Sequence, residues 1–154
     1  SYGYTGPVLR GSGVGLDVRK YAPYELYDEV EFEVPIGKYG DNYDRYIVRI
    51  REIRESIKIV QQCMEQIEPG PVRATTAMLF RPPPGESYVP IEAPKGELGF
   101  YLISDGSIKP YRMHVRAPSF INLTLLKEMM VGWKLADDIV ALGSVDFNMG
   151  EVDS

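Results

Sequence analysis

Cysteine and histidine are almost absent from this chain of 154 residues, which contains one of each, Cys63 and His114. A single cysteine excludes an intramolecular disulfide and any metal site built from several thiolates. A single histidine excludes a cluster of histidine ligands, and it would have to serve any histidine-based triad. Cys63 falls in a predicted helix and His114 on a predicted strand among arginines, so both are predicted to be structural. The sequence therefore predicts no catalytic residue and no metal ligand.

Long apolar runs and an excess of positive charge are also absent. No stretch approaches the roughly 20 apolar residues of a membrane-spanning helix. The net charge of −5 argues against a nucleic-acid partner, because binding to phosphates needs a basic surface. Hydrophobic residues make up 44% of the chain and charged residues 25%, which is typical of a folded globular domain.

One long helix is the clearest element that the sequence predicts. From about residue 42 to residue 67, apolar residues recur at alternating steps of three and four, which draws one stripe along a helix. The stripe consists of Ile50, Ile53, Ile57, Val60, Met64 and Ile67. The opposite face, with Arg45, Arg49 and other charged residues, is predicted to face solvent. Because the stripe is too short for a long coiled coil, we expect a packed helical bundle.

Short strands are predicted on both sides of this helix. Apolar residues alternate with acidic ones over about residues 27–35, which predicts a half-buried strand. Residues 98–104 and 110–116 are predicted to pair as an antiparallel hairpin through Asp105-Gly106. The Gly- and Pro-rich stretch 1–24 is predicted to be irregular.

Two further helices are predicted at about residues 121–130 and 133–142, with Gly143 ending the second and residues 144–154 forming a tail. The predicted class is therefore α+β, mainly a helical bundle with short antiparallel strands. Two segments remain unusual: the charged turn at residues 92–97 and the acidic tail at residues 144–153. Considered alone, both segments are predicted to be exposed.

Six motifs, including parts of these two segments, follow one another along the chain. They are Gly6-Pro7-Val8-Leu9-Arg10-Gly11-Ser12-Gly13-Val14, Tyr27-Asp28-Glu29-Val30-Glu31-Phe32, Asp44-Arg45-Tyr46-Ile47-Val48-Arg49-Ile50-Arg51-Glu52, Glu92-Ala93-Pro94-Lys95-Gly96-Glu97, Arg116-Ala117-Pro118-Ser119-Phe120 and Met149-Gly150-Glu151-Val152-Asp153. In order and spacing they resemble the C-terminal half of the quinone-side large subunit of respiratory complex I (NADH–quinone oxidoreductase). The resemblance implies one domain over residues 1–154 with the fold of nickel–iron hydrogenase large subunits. It also implies that a family segment is missing at about residues 76–82 and that the N-terminal half is absent.

The resemblance also implies a site. In the related nickel–iron hydrogenases, two cysteine thiolates near the C-terminus bind the metal, and Asn148 and Glu151 stand at those positions here. Because an amide and a carboxylate replace soft thiolates, no nickel is expected. Asp146 keeps the family aspartate, and Lys95 matches a basic residue beside the hydrogenase metal. The resemblance implies that the emptied metal site became the inner wall of a quinone chamber, formed by Lys95, Asp146, Asn148, Met149 and Glu151.

The implied function is that of one component of a membrane-attached NADH:quinone oxidoreductase, active only within its complex and coupled to ion pumping. Quinone would bind at a shared site, while NAD and a 4Fe-4S cluster would belong to partner subunits. The cluster would lie in the iron–sulfur small subunit, since one cysteine cannot hold it. Other peripheral-arm and membrane-arm subunits are implied partners, and the implied location is peripheral, on the cytoplasmic or matrix face of the membrane. The alternatives are a membrane-bound nickel–iron hydrogenase subunit, against which Asn148 and Glu151 argue, and a non-redox assembly domain.

Overall fold

The computed structural model describes residues 2–75 and 79–153, so the predicted gap at about residues 76–82 falls partly outside the described residues. Helices and a small sheet confirm the α+β class, whereas the larger bundle and the hydrogenase-like fold stay predictions. In chain order the elements are α1 (Gly6–Gly11), α2 (Val18–Tyr21), α3 (Asn42–Gln66), β1 (Gly85–Ala93), β2 (Gly96–Ser104), β3 (Arg112–Arg116), α4 (Pro118–Leu123), α5 (Leu126–Met130), α6 (Leu135–Val145) and α7 (Met149–Val152). No helix in the described part of the chain combines the length and the apolar character needed to cross a membrane.

The long helix α3 confirms the predicted element but not its predicted inner face. It begins where the carboxylate of Asp41 accepts a hydrogen bond from the backbone N–H of Asp44 at 2.7 Å. α1 and α6 pack against the face that carries Arg45, 5% exposed, and Val48, 1% exposed. Most of the predicted stripe is exposed instead: Ile53, Ile57, Val60, Met64 and Ile67. The prediction that Arg45 faces solvent was wrong, because a guanidinium whose donors are paired can be buried.

The segment predicted as a strand at residues 27–35 forms no strand. Val30 and Phe32 are buried as the alternation predicted, with 4% and 8% exposure. However, the backbone of this segment bonds to helix side chains rather than to another strand. The N–H of Glu31, for example, donates to Oε1 of Gln62 on α3 at 2.8 Å. The alternation of apolar and acidic residues therefore predicted the buried side chains correctly, but the backbone pairs with side chains of α3 and not with a neighbouring strand.

The sheet has the antiparallel order β1-β2-β3. Its second hairpin, β2 with β3, confirms the predicted pairing, with Gly99 opposite Arg116. Its first hairpin joins β1 to β2 through a tight turn, with Ala93 opposite Gly96. This turn places Lys95 at the tip of the hairpin.

The shorter helices differ from the predictions in their bounds. The stretch predicted as irregular contains α1 and α2, and the helix predicted at residues 121–130 is divided into α4 and α5. Gly143 does not end α6, which continues to Val145. The cost of glycine in a helix, about 1 kcal/mol relative to alanine, is offset here by burial of Ala141 and Val145, which are 6% and 2% exposed. The helix therefore ends at Val145, and Asp146 follows as its C-terminal cap.

Candidate functional site

An ion pair between Lys95 and Asp146 joins the tip of the first hairpin to the end of α6. Nζ of Lys95 donates to Oδ2 of Asp146, and the two side chains are 22% and 45% exposed. Two of the five predicted wall residues are thus in direct contact across 51 positions of sequence. Because both side chains retain accessible surface, a ligand could reach either charged group.

The backbone of the hairpin tip is held from two sides. Asn122 of α4, only 1% exposed, donates from Nδ2 to the carbonyl oxygen of Lys95 at 3.1 Å. On the other side, Gly96 has φ +139, and a Cβ there would lie 2.5 Å from Oγ1 of Thr5. Only glycine permits this close approach. These contacts fix the direction from which Lys95 reaches the carboxylate.

The turn that carries Asp146 is held by two arginines of α3. Asp146 has left-handed backbone angles, φ 56 and ψ 51, a conformation that costs roughly 1–2 kcal/mol for a residue other than glycine. Arg49 donates to the carbonyl oxygen of Val145 at 3.2 Å, and its Nε lies 3.6 Å from Oδ2 of Asp146. Arg45 donates from Nε to Oγ of Ser144 at 2.9 Å. Sequence reasoning placed both arginines in solvent, and it missed them as site residues for that reason.

The other predicted wall residues lie on or beside α7, which packs on α4. Oδ1 of Asn148 accepts from the backbone N–H of Gly150 at 3.1 Å, and the backbone N–H of Asn148 donates to Oγ of Ser119 at 3.1 Å. Oε2 of Glu151 accepts from the N–H of Ser119 at 3.1 Å. Met149 is 60% exposed. Asn148 and Glu151 therefore both have structural contacts with α4, which the motif alone did not indicate.

A buried ionic cluster lies next to this site, and sequence reasoning missed it. Arg10 is 1% exposed. It donates to Oε1 of Glu52 at 2.5 Å and to Oε1 of Glu92 at 2.7 Å, and it lies 3.7 Å from Asp17. Asp17 in turn pairs with Arg19 at 2.6 Å. The prediction that the charged turn at residues 92–97 is exposed was wrong for Glu92, whose side chain is 5% exposed. No periodic pattern marks these residues, because mutual pairing rather than apolar character permits their burial.

The pKa values of two buried carboxylates of this cluster, Glu92 and Asp17, are shifted in opposite directions. Burial raises the pKa of Glu92, although the charge of Arg10 and a hydrogen bond from the N–H of Val18 act against the rise. Burial also opposes ionisation of Asp17, but hydrogen bonds from Arg19 and its charge outweigh burial and lower the pKa of Asp17. The fold therefore favours the ionised form of Asp17 and disfavours the ionised form of Glu92.

A cavity of about 440 Å³ adjoins both the cluster and Asp146. Its lining includes Arg10, Glu52 and Glu92 of the cluster together with Arg49 and Asp146. The candidate site is therefore an ion pair beside a charged cavity rather than an apolar pocket. In residues 2–75 and 79–153, no group of three or more His, Cys, Asp or Glu side chains could hold a metal ion.

Comparison with known families gives one match that covers the chain. The sequence model described as "Respiratory-chain NADH dehydrogenase, 49 Kd subunit" matches residues 1–81 and 75–154. The two matched segments include all five residues of the candidate wall and the arginines of α3.

Individual relatives carry consistent names. The chain is 55% identical to a D-type subunit of NADH-quinone oxidoreductase from Roseiflexus sp. (strain RS-1), over 99% of this chain and 43% of the relative. It is 53% identical to the D-type subunit of the same enzyme from Desulforamulus reducens, over 97% of this chain and 41% of the relative. It is 47% identical to the D-type subunit of the same enzyme from Magnetococcus marinus, over 99% of this chain and 45% of the relative. The chain thus spans less than half the length of these relatives.

Proposed function

The chain belongs to the family of the respiratory-chain NADH dehydrogenase, 49 Kd subunit, and on this premise we propose that it helps to form a quinone-reduction chamber. The chamber belongs to a membrane-attached NADH:quinone oxidoreductase, and the chain acts as one subunit of that complex. The names of the relatives given above, which are NADH-quinone oxidoreductase subunits, support this assignment. The single structural observation that carries it is the accessible contact between Lys95 and Asp146.

The chemistry of a quinone fits this pair. Reduction of a quinone to a quinol takes up two electrons and two protons, and negative charge develops on its oxygens as the electrons arrive. The ammonium of Lys95 can donate a hydrogen bond to such an oxygen and stabilise that charge. Asp146 accepts from Lys95 and so holds the ammonium at a defined position. Asp146, which lines the charged cavity, and the ammonium of Lys95 beside it can then exchange a proton with the quinone during reduction.

The remaining wall residues shape the chamber. Met149 offers an exposed apolar side chain against which a quinone ring can pack. Asn148 and Glu151 connect the chamber wall to α4 through Ser119. Their amide and carboxylate groups suit hydrogen bonding rather than the binding of a soft metal.

The electrons come from outside this chain. One cysteine cannot hold a 4Fe-4S cluster, so the cluster belongs to the iron–sulfur small subunit of the complex, and NAD binds to another partner. The other peripheral-arm and membrane-arm subunits complete the assembly, which couples the reduction to ion pumping. The chain lies at the cytoplasmic or matrix face of the membrane and is held there by its partners.

Purification of the full-length protein with its partners from native membranes tests the proposal. The metals of the assembly and its quinone-reductase activity are measured on the same preparation. Iron in the amount of an iron–sulfur cluster, without nickel and with quinone-dependent turnover, is the expected result. Stoichiometric nickel would identify a hydrogenase instead, and an assembly with neither iron nor quinone turnover would identify a non-redox assembly domain.

A further inference from the structure

We propose that Arg49 is a positioning residue for the quinone-reduction site, because it holds the carboxylate of Asp146 in the orientation that Lys95 requires. This inference rests on the proposed function and deepens it. Arg49 lies on α3 and belongs to neither of the two segments that carry the predicted wall. It stands in the motif at residues 44–52, which assigned it no role, so its role follows from its contacts.

The three nitrogens of the Arg49 guanidinium have different neighbours. One terminal nitrogen donates to the carbonyl oxygen of Arg45 at 3.2 Å, within α3. The other donates to the carbonyl oxygen of Val145 at 3.2 Å, at the end of α6. Because the guanidinium is planar and rigid, these two bonds fix the plane of the group. Its Nε then lies 3.6 Å from Oδ2 of Asp146.

This arrangement constrains a residue that would otherwise be strained. Asp146 has a positive φ of 56, and such a conformation persists only where its surroundings enforce it. Arg49 enforces it twice, through the carbonyl group that precedes Asp146 and through the carboxylate itself. Its side chain is 21% exposed, so water screens this interaction only in part.

Arg49 also affects the ion pair between Lys95 and Asp146. Both cations approach the same oxygen of Asp146, but only Lys95 donates a hydrogen bond to it. Arg49, at a longer distance, contributes its charge without replacing that bond. The three groups together carry one net positive charge, which favours the negative charge that develops on a quinone oxygen. Without Arg49 the pair would be neutral and its turn less constrained.

Arg45 provides a matched control on the same helix. It also contacts the end of α6, but its Nε donates to Oγ of Ser144 and a terminal nitrogen donates to the carbonyl oxygen of Gly40. Its side chain contacts none of the five wall residues through a hydrogen bond or ion pair in the described part of the chain. Replacement of Arg45 therefore weakens the start of α3 and the α3–α6 contact without removing a contact to the wall residues.

The test compares Arg49→Met, Arg49→Lys and Arg45→Lys in the assembled complex. The quantities measured are the amount of complex assembled, kcat and KM for decylubiquinone, and electron transfer to a soluble artificial acceptor that bypasses the quinone. Because Arg49 acts on the transition state through Asp146, we expect Arg49→Met to lower kcat about tenfold with KM changed less than about twofold. Arg49→Lys, which keeps the charge but loses the planar fork, should recover part of kcat. Arg45→Lys, which weakens the contact with Ser144 but removes no contact to a wall residue, should lower kcat less than Arg49→Lys does.

Each outcome decides the inference. Equal kcat for Arg49→Met and wild type, or an equal loss for Arg49→Lys and Arg45→Lys, would overturn it. If Arg49→Met does not assemble, the comparison of the two lysine variants decides alone. Asp146→Asn is measured in parallel: if it changes neither kcat nor KM, the proposed function fails, whereas a loss there with an unaffected Arg49→Met refutes only the role of Arg49.

Discussion

Asp17 and Glu92 are buried beside the same guanidinium, that of Arg10, yet the fold favours the charge of only one of them. The pKa of Asp17 is lowered because Arg19 and Arg10 outweigh the effect of burial, whereas burial raises the pKa of Glu92. A carboxylate with a lowered pKa stabilises the folded state above its usual pKa and loses that contribution as the pH falls through the lowered value.

Asp17→Asn tests this linkage at the residue scale. We expect the variant to lower the free energy of unfolding by roughly 3 kcal/mol at neutral pH, because it removes one partner of a buried ion pair. The difference from wild type should shrink as the pH falls below the usual aspartate value of 3.8. Urea denaturation at several pH values measures it, with the exposed Asp28→Asn as control. A difference that does not change with pH would contradict the account.

The residues of the site differ in how far the sequence could predict them. The family resemblance assigned Lys95 and Asp146 to the site, and the structure brings them into contact. Arg10 and Arg49 also stand in matched motifs, but their roles could not be predicted, because a charged side chain gives no sign in the sequence that its partners lie on other elements. Their burial depends on tertiary pairing, which no periodicity reports.

At the scale of elements, α6 connects the ion pair to the rest of the fold. Its C-terminal end could not be predicted from the sequence. Gly143 is a strong signal for a helix end, and the tertiary packing that lets the helix continue past it leaves no local pattern. The structure extends α6 by three residues past the predicted end at 142, to Val145. By contrast, the 25 residues of α3 are long and periodic enough for their existence and bounds to be predicted.

Gly143→Ala tests whether α6 carries an unnecessary glycine. Apart from its chain neighbours and the backbone of α6 itself, no atom in the described part of the chain lies within 4 Å of the position that a Cβ would occupy, and the residue has no positive φ. Alanine should therefore raise the free energy of unfolding by about 1 kcal/mol through its higher helix propensity. The midpoint of urea denaturation measures this change. Gly96→Ala is the control that should destabilise the fold, since its Cβ would lie 2.5 Å from Oγ1 of Thr5. If Gly143→Ala also destabilised the fold, α6 would have to end earlier.

At the scale of the whole molecule, the apolar stripe of α3 is the largest departure from the predicted packing. The amphipathic pattern was correct, but the described residues leave Ile53, Ile57, Val60 and Met64 between 53% and 73% exposed. An exposed stripe of this length is unusual for a soluble monomer. The sequence could show that the stripe exists, but not whether the rest of this chain covers it.

The stripe predicts that this chain, purified alone, self-associates. Burial of apolar side chains between copies provides the driving force. We expect Ile57→Glu combined with Met64→Glu to shift the population toward monomer without loss of helical content, because both side chains are exposed. Sedimentation velocity at several concentrations measures this shift, with Arg54→Glu on the same helix as control. A wild-type chain that is already monomeric at high micromolar concentration would refute the prediction.

The central claim is that Lys95 and Asp146 act together on a quinone, and a double-mutant cycle tests it most directly. Lys95→Met, Asp146→Asn and the double variant are assembled into the full complex, and quinone-dependent kcat/KM is measured for each. If the pair acts as a unit, each single variant should lose about as much activity as the double variant, with a coupling free energy of at least about 1 kcal/mol. Additive losses, or full activity in all three variants, would show that the pair is a structural contact and not part of the quinone site.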